Sequence, residues 1–204
     1  VKNHRGSRKA FRVGNDQQPN FIIMKKTFFA TAVALLIGFG ANAQIKIGAG
    51  FMGGLPMGDF GEVANLGIGG GVSGEYMVTD NIGAGLNVGF MMFGAKEEGF
   101  FDVTMIPIHL QGNYHFMPGE DFNFYGGLGL GINMTTVTTP DIDLGPLGTF
   151  PGSEVSSSEF AIVPRVGINY MFSDMLGLDF NTGYAIVGDY SYVPLNLGVI
   201  YVLD

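Results

Sequence analysis

Eight times between Gln44 and Leu203, large apolar residues alternate with Gly, Asn and other small or polar residues at a spacing of two. That spacing puts successive side chains on opposite faces of a strand, and no segment in this part of the chain repeats at the 3.6-residue period of a helix. The runs cover 45–51, 66–78, 82–90, 106–116, 122–133, 160–172, 176–186 and 196–203. In the first, Ile45, Ile47, Ala49 and Phe51 oppose Lys46, Gly48 and Gly50; in the last, Leu197, Val199, Tyr201 and Leu203 oppose Asn196 and Gly198.

Composition decides which face meets what. Only 14% of the residues are charged, and the polar faces of the runs carry just Lys46, Glu75, Arg165 and Asp179. A soluble surface of this size is studded with Lys and Glu. The apolar faces are too bulky for the interior of an eight-stranded barrel, which is only wide enough to be filled. The sheet is therefore expected inside out, with the apolar faces toward lipid and small polar residues in the lumen. Strands of about 9–11 residues suit a tilted membrane crossing, and closure pairs every backbone group as a bilayer requires. The expected fold is all-β, an eight-stranded antiparallel up-and-down transmembrane β-barrel over residues 44–204.

The connections alternate in length. Thr79-Asp80-Asn81, MPGED (117–121) and Ser173-Asp174-Met175 are short hairpin loops. The others are long: GGLPMGDFGEVAN (53–65), FGAKEEGFFDV (93–103) and a Pro/Gly/Ser/Thr-rich loop over about 136–158. Short turns belong on the periplasmic side and long loops outside. Tyr76, Tyr114, Phe116, Phe122, Phe124, Tyr170, Phe172 and Tyr201 point outward beside the short turns, forming an aromatic girdle at one interface. In the lumen, Lys46 is expected to pair with Glu75, and Arg165 with Asp179. Eight strands leave little room inside, so a plugged lumen is expected rather than a narrow channel.

The first 43 residues read as an address. Lys25 and Lys26 precede an apolar run from Phe28 to Phe39 and an Ala41-Asn42-Ala43 cleavage motif, so 24–43 is expected to be a signal peptide cut after Ala43. Residues 1–23 are basic and unpatterned, as expected of an upstream extension translated from too early a start.

Several chemistries are disfavoured. The chain has no Cys, so thiolate metal sites and nucleophiles are excluded. Seven of its ten Lys/Arg precede residue 27, which leaves Lys46, Lys96 and Arg165 against seventeen Asp/Glu; no nucleic-acid partner is expected. Gly69–Gly74 satisfies G-x-G-x-x-G but opens no helix that could hold a phosphate. His109 and His115 both face inward, yet six strand residues separate them by roughly 20 Å, too far to share a metal. The loops after Gln44 hold no His, and no constellation of catalytic groups is legible, so neither an enzyme nor a cofactor is expected. The acids in the long connections, from Asp59 and Glu62 to Asp189, read as solvated charge, with divalent bridging to lipopolysaccharide phosphates as the functional alternative.

IPIHLQGNYHFMPGEDFNFYGGLGLGINM (106–134) and the terminal VPLNLGVIYVL resemble the small outer-membrane beta-barrel domain family common in Bacteroidetes, with the PorT-like and OmpW-like barrels as neighbours. The resemblance covers Gln44 to Leu203. It implies an outer-membrane location, lipid and lipopolysaccharide as surroundings, and insertion by the barrel-assembly machinery. Asn196, Gly198, Tyr201 and Leu203 occupy the places of that machinery's signal, although the chain ends on Asp204 rather than on an aromatic residue. A structural or binding role is expected, with a narrow channel or an OmpW-like conduit for small apolar molecules as the alternative. The oligomeric state is left open.

Overall fold

The computed structural model describes residues 44–97, 101–143, 145 and 148–203. The signal peptide, its cleavage after Ala43 and the upstream extension lie outside them. In chain order the elements are β1 (Ile45–Met57), α1 (Gly58–Val63), β2 (Gly67–Met77), β3 (Ile82–Gly94), β4 (Asp102–His115) and β5 (Phe122–Thr139). There follow β6 (Ile142–Asp143), β7 (Thr149–Phe150), β8 (Ser153–Met171), β9 (Leu176–Gly183), β10 (Ala185–Val187) and β11 (Tyr190–Leu203).

Every neighbouring pair is antiparallel, and β11 returns to β1 over the register Ile45↔Leu203 to Met57↔Ser191. With β9 and β10 forming one wall, the sheet is a closed eight-stranded barrel. The facing follows the alternation. Leu110, Phe116, Ile68 and Val72 are more than half exposed on the outside, while Asn113, His115, Asn123, Asn133 and Asn181 are buried within. Large apolar groups left bare outside and amides buried inside are the reverse of a water-soluble barrel. At the end with the short turns, the outward rings pack in pairs: Phe122 stacks on Tyr170 at 4.5 Å and Tyr114 meets Phe116 edge-on at 5.2 Å.

Four expectations need correction. The long connections are partly strand, because β1 runs on to Met57, β3 to Gly94, and β5 and β8 pair as far as Thr139↔Ser153. Thr, Val and Ser in 135–139 and 153–158 suit a pleated surface, and Thr136 and Ser156 share a hydroxyl hydrogen bond of 2.9 Å. Turn chemistry is confined to the tip, where Gly145 and Gly148 adopt positive φ. Secondly, a helix does exist: α1, only six residues long, is too short to display a helical period. Thirdly, the last strand begins at Tyr190 rather than Asn196.

The fourth correction concerns 176–186, which is two strands rather than one run. Tyr184 N–H donates to Pro164 O at 3.0 Å, so Tyr184 faces β8; but proline has no N–H to return. On the other flank, Val202 N–H donates to Met175 O, and the register carries that bonding parity to Pro194 opposite Gly183. Gly183 and Tyr184 thus each lack a ladder donor for the carbonyl, and the strand breaks between β9 and β10.

Candidate functional site

The lumen is divided into two layers. Toward the short turns it is polar. Glu75 Oε1 accepts from Asn113 Nδ2 at 2.7 Å, and both its oxygens lie 3.2 Å from His115 Nε2. Asn123 Nδ2 lies 2.9 Å from His115 Nδ1. The amide donates there, which leaves the ring proton on Nε2, facing the carboxylate. Across the lumen, Asp179 Oδ1 accepts from Tyr125 Oη at 2.8 Å and from Asn169 Nδ2 at 2.7 Å, while Asn181 Nδ2 donates to Oδ2. Arg165 Nη2 donates to the same Tyr125 oxygen at 3.1 Å, with its guanidinium 5.5 Å from the ring centre.

The charged residues named from the sequence therefore share the lumen but not the simple pairing expected of them. Lys46 stands opposite Glu75 in the β1–β2 register, yet the Glu75 carboxylate is held by hydrogen bonds from the His115 ring N–H and the Asn113 amide. Arg165 reaches Asp179 through the Tyr125 hydroxyl. Strand alternation placed Tyr125 and His115 inward; it gave no sign that they would carry the contacts, because their partners come from strands distant in sequence.

Toward the long connections the lumen is apolar, which overturns the expectation of small polar filling throughout. Met52, Met91, Phe93, Val103, Met105, Val163 and Tyr192 form a buried cluster. Each has the inward parity of its strand, and all but Val163 lie beyond the point where the clean alternation stops. The stretch Met91-Met92-Phe93 hides its alternation because both faces are apolar there. Phe60 of α1 closes this layer from above, with ring centres 5.2 Å from Phe93 and 5.5 Å from Tyr190. The helix has no side-chain N-cap and is tied down by the residues that follow β3 instead: Lys96 N–H donates to Val63 O at 2.9 Å, Asn65 Nδ2 to Ala95 O at 2.9 Å, and Lys96 Nζ to Gly61 O. Between the layers His109 Nε2 meets Asn133 Oδ1 at 2.7 Å, and Asn133 Nδ2 donates to Tyr192 Oη at 3.2 Å.

What space remains between the layers is small. Three cavities of about 40, 30 and 30 Å³ lie along the barrel interior, lined among others by Gly48, Ser73, Gln111, Arg165, Asp179 and Asn196. Each has room for about two or three waters. Among the described residues, Gln111 Oε1, Asn169 Oδ1 and Asn196 Oδ1 are buried acceptors with no protein donor. A wider vestibule of about 690 Å³ opens at the short-turn end beside Lys46, Asn123, Asn169 and Asp174.

The four residues expected to form a terminal signal occupy different surroundings. Asn196 donates to Asn181 Oδ1 at 2.7 Å inside the lumen. Gly198 faces Gly50 across β1–β11, and a Cβ on Gly50 would collide with the Gly198 backbone. Tyr201 and Leu203 face outward, at 41% and 38% exposure.

Residues 30–202 match the outer membrane protein beta-barrel domain family. No curated protein matches the chain. Among solved structures, Ail of Yersinia pestis in complex with the heparin analogue sucrose octasulfate is 16% identical, with a TM-score of 0.57, covering 79% of this chain and 99% of its own. OprG of Pseudomonas aeruginosa is 17% identical with a TM-score of 0.57, covering 79% and 96%. A major outer membrane protein of Thermus thermophilus is 15% identical with a TM-score of 0.59, covering 79% and 99%. At these identities the likeness concerns the fold. The lipid-facing closed barrel and the family match over most of its length lead to one conclusion: the chain belongs to the outer membrane protein beta-barrel domain family and is an eight-stranded barrel of the outer membrane.

Proposed function

We propose that this barrel is not a pore but a closed membrane anchor that acts from its external face as a structural or binding protein. The observation that carries the reading is the apolar layer of Met91, Phe93, Met105 and Tyr192, sealed by Phe60. Fully burying such side chains is worth about 1.5–3 kcal/mol each, so water has no ready route past them. The short turns then face the periplasm, and α1 and the β5–β8 hairpin face outward. Export follows from the 24–43 signal. Insertion by the assembly machinery uses Asn196, Gly198, Tyr201 and Leu203, and the outer surface stands among lipopolysaccharide. Purified protein in planar bilayers is expected to show no steady conductance; regular open steps of wild type would overturn the reading.

The external charge narrows the class of target. Ail was solved with a polysulfated sugar, but here the long connections carry Asp59, Glu62, Glu154, Glu159 and Asp189 against Lys96, whose ammonium is committed to Gly61 O. Among the described residues a polyanion finds no cationic external surface.

A second reading, a conduit for small apolar molecules, is favoured by the break at Gly183–Tyr184. Donorless carbonyls in a wall facing lipid mark a place where it can part sideways. Uptake of an apolar dye into vesicles that rises when Pro164 is replaced by Val, or is unchanged by it, counts against that reading; a fall supports it.

A further inference from the structure

From the backbone of β8 we infer a docking edge for an extended, Lys/Arg-bearing segment of another protein. This rests on the external orientation proposed above. Strand β8 is 19 residues long, but its partner on the side away from β5 reaches only to Val187↔Ala161, with a final contact from Gly188 N–H to Phe160 O at 3.3 Å. Ser153–Glu159 therefore rise beyond the β10–β11 turn with β5 on one side and, among the described residues, no strand on the other.

The bonding parity shows which groups are free. Met171 N–H donates to Asp121 O, which sets the odd-numbered residues of β8 as those bonded to β5 in the register Phe122↔Tyr170 to Thr139↔Ser153. The even-numbered residues turn the other way, as Pro164 and Phe160 do when they accept from Tyr184 and Gly188. Glu154, Ser156 and Ser158 accordingly present three N–H and three C=O groups along one side of a ribbon about 24 Å long. Such a row is a template for one more strand unless it is shortened, twisted or guarded. This one has no Pro, no Lys and no Gly; its charged guards are Glu154 and Glu159, with Asp189 in the neighbouring turn.

Guards of a single sign select rather than close. They repel acidic segments and favour cationic ones. They also argue against a second copy of this chain. Two barrels in one membrane point the same way, so their edges could meet only as parallel strands, the weaker pairing, with glutamates brought together.

The test uses the intact barrel in nanodiscs of zwitterionic phosphatidylcholine and three labelled nonapeptides read by fluorescence anisotropy. One alternates Lys and Thr, one alternates Glu and Thr, and one is the Lys–Thr peptide N-methylated on alternate residues. The Lys–Thr peptide is expected to bind, the Glu–Thr peptide not to, and the N-methylated peptide to bind at least tenfold more weakly. In the barrel, Ser156→Pro removes an N–H on the free side alone, so it is expected to keep heat-resistant migration on gels while losing at least tenfold in affinity. Equal binding of the N-methylated peptide to wild type, or unchanged binding to folded Ser156→Pro, overturns the edge and leaves only charge attraction. No binding of any peptide overturns it too, whereas conductance in bilayers bears on the closed-lumen reading and not on this one.

Discussion

The Tyr125 hydroxyl donates to Asp179 Oδ1 at 2.8 Å while accepting from Arg165 at 3.1 Å. One phenol thus joins the two charges that the strand register leaves apart, and it does so on the floor of the lumen's polar layer.

Removing that oxygen alone is informative. Tyr125→Phe keeps the ring against Arg165 but leaves the carboxylate and the guanidinium each one partner short, which is expected to cost about 1–3 kcal/mol. Arg165→Ala leaves Asp179 without its counter-charge and is expected to cost more, about 3–5 kcal/mol. Urea unfolding in lipid vesicles measures both. A neutral Arg165→Ala would show that water screens the lumen.

Glu75 separates two possible partners. It stands opposite Lys46, but its hydrogen bonds go to His115 and Asn113. In double-mutant cycles Glu75 is expected to couple to His115 by roughly 1–3 kcal/mol and to Lys46 by less than half as much. Stronger coupling to Lys46 contradicts the arrangement described.

The proposed closure of the lumen predicts its own opening. Phe93→Ala combined with Met91→Ala removes two side chains that are almost wholly buried, at a stability cost of about 2–5 kcal/mol each. The folded double variant is expected to pass ions in planar bilayers where wild type does not. If it stays as silent as wild type, the apolar layer is not what blocks the barrel.

Facing can be checked at adjacent residues near the C-terminus. Tyr201 is 41% exposed toward lipid, whereas Ile200 is 6% exposed inside. Tyr201→Asp is expected to lower the amount of assembled barrel sharply, through a lipid-face penalty of about 1–3 kcal/mol and, on the proposed reading, the loss of a residue of the assembly signal. Ile200→Asn, beside the polar cavity lined by Ser73 and Asn196, is expected to be much milder. Heat-shifted gel mobility of membrane fractions reports both, and equal losses refute the assignment.

The barrel itself was legible because it rests on a local rule. Ile45 to Phe51, or Ile82 to Phe90, declares its faces without reference to any other strand. What escaped depended on contacts between distant segments. Thr135–Thr139 and Ser153–Ser158 read as loop because neither run has an apolar face, and they become strand once the barrel below fixes their register. The proline break needed both flanking registers, since neither Pro164 nor Pro194 lies on the strand it interrupts. The lumen partners were partly visible: the positions of Lys46 and Arg165 followed from parity, but Tyr125 and His115 became central only through side-chain reach.

A closed ring under tension parts at its weakest link, and here that link has an address. Each ladder rung in hydrocarbon holds neighbouring strands together with little competition from water. At Gly183 and Tyr184, adjacent rungs on opposite flanks each lack one of their two hydrogen bonds, one facing Pro194 and one facing Pro164. A barrel pulled from its C-terminus in a force spectrometer should therefore not unravel in even hairpin-sized steps. Once β11 has been drawn out, β10 is left on its short pairing with β8, across the rung Pro164 does not complete. The force trace should yield early there, a mechanical notch in an otherwise continuous wall.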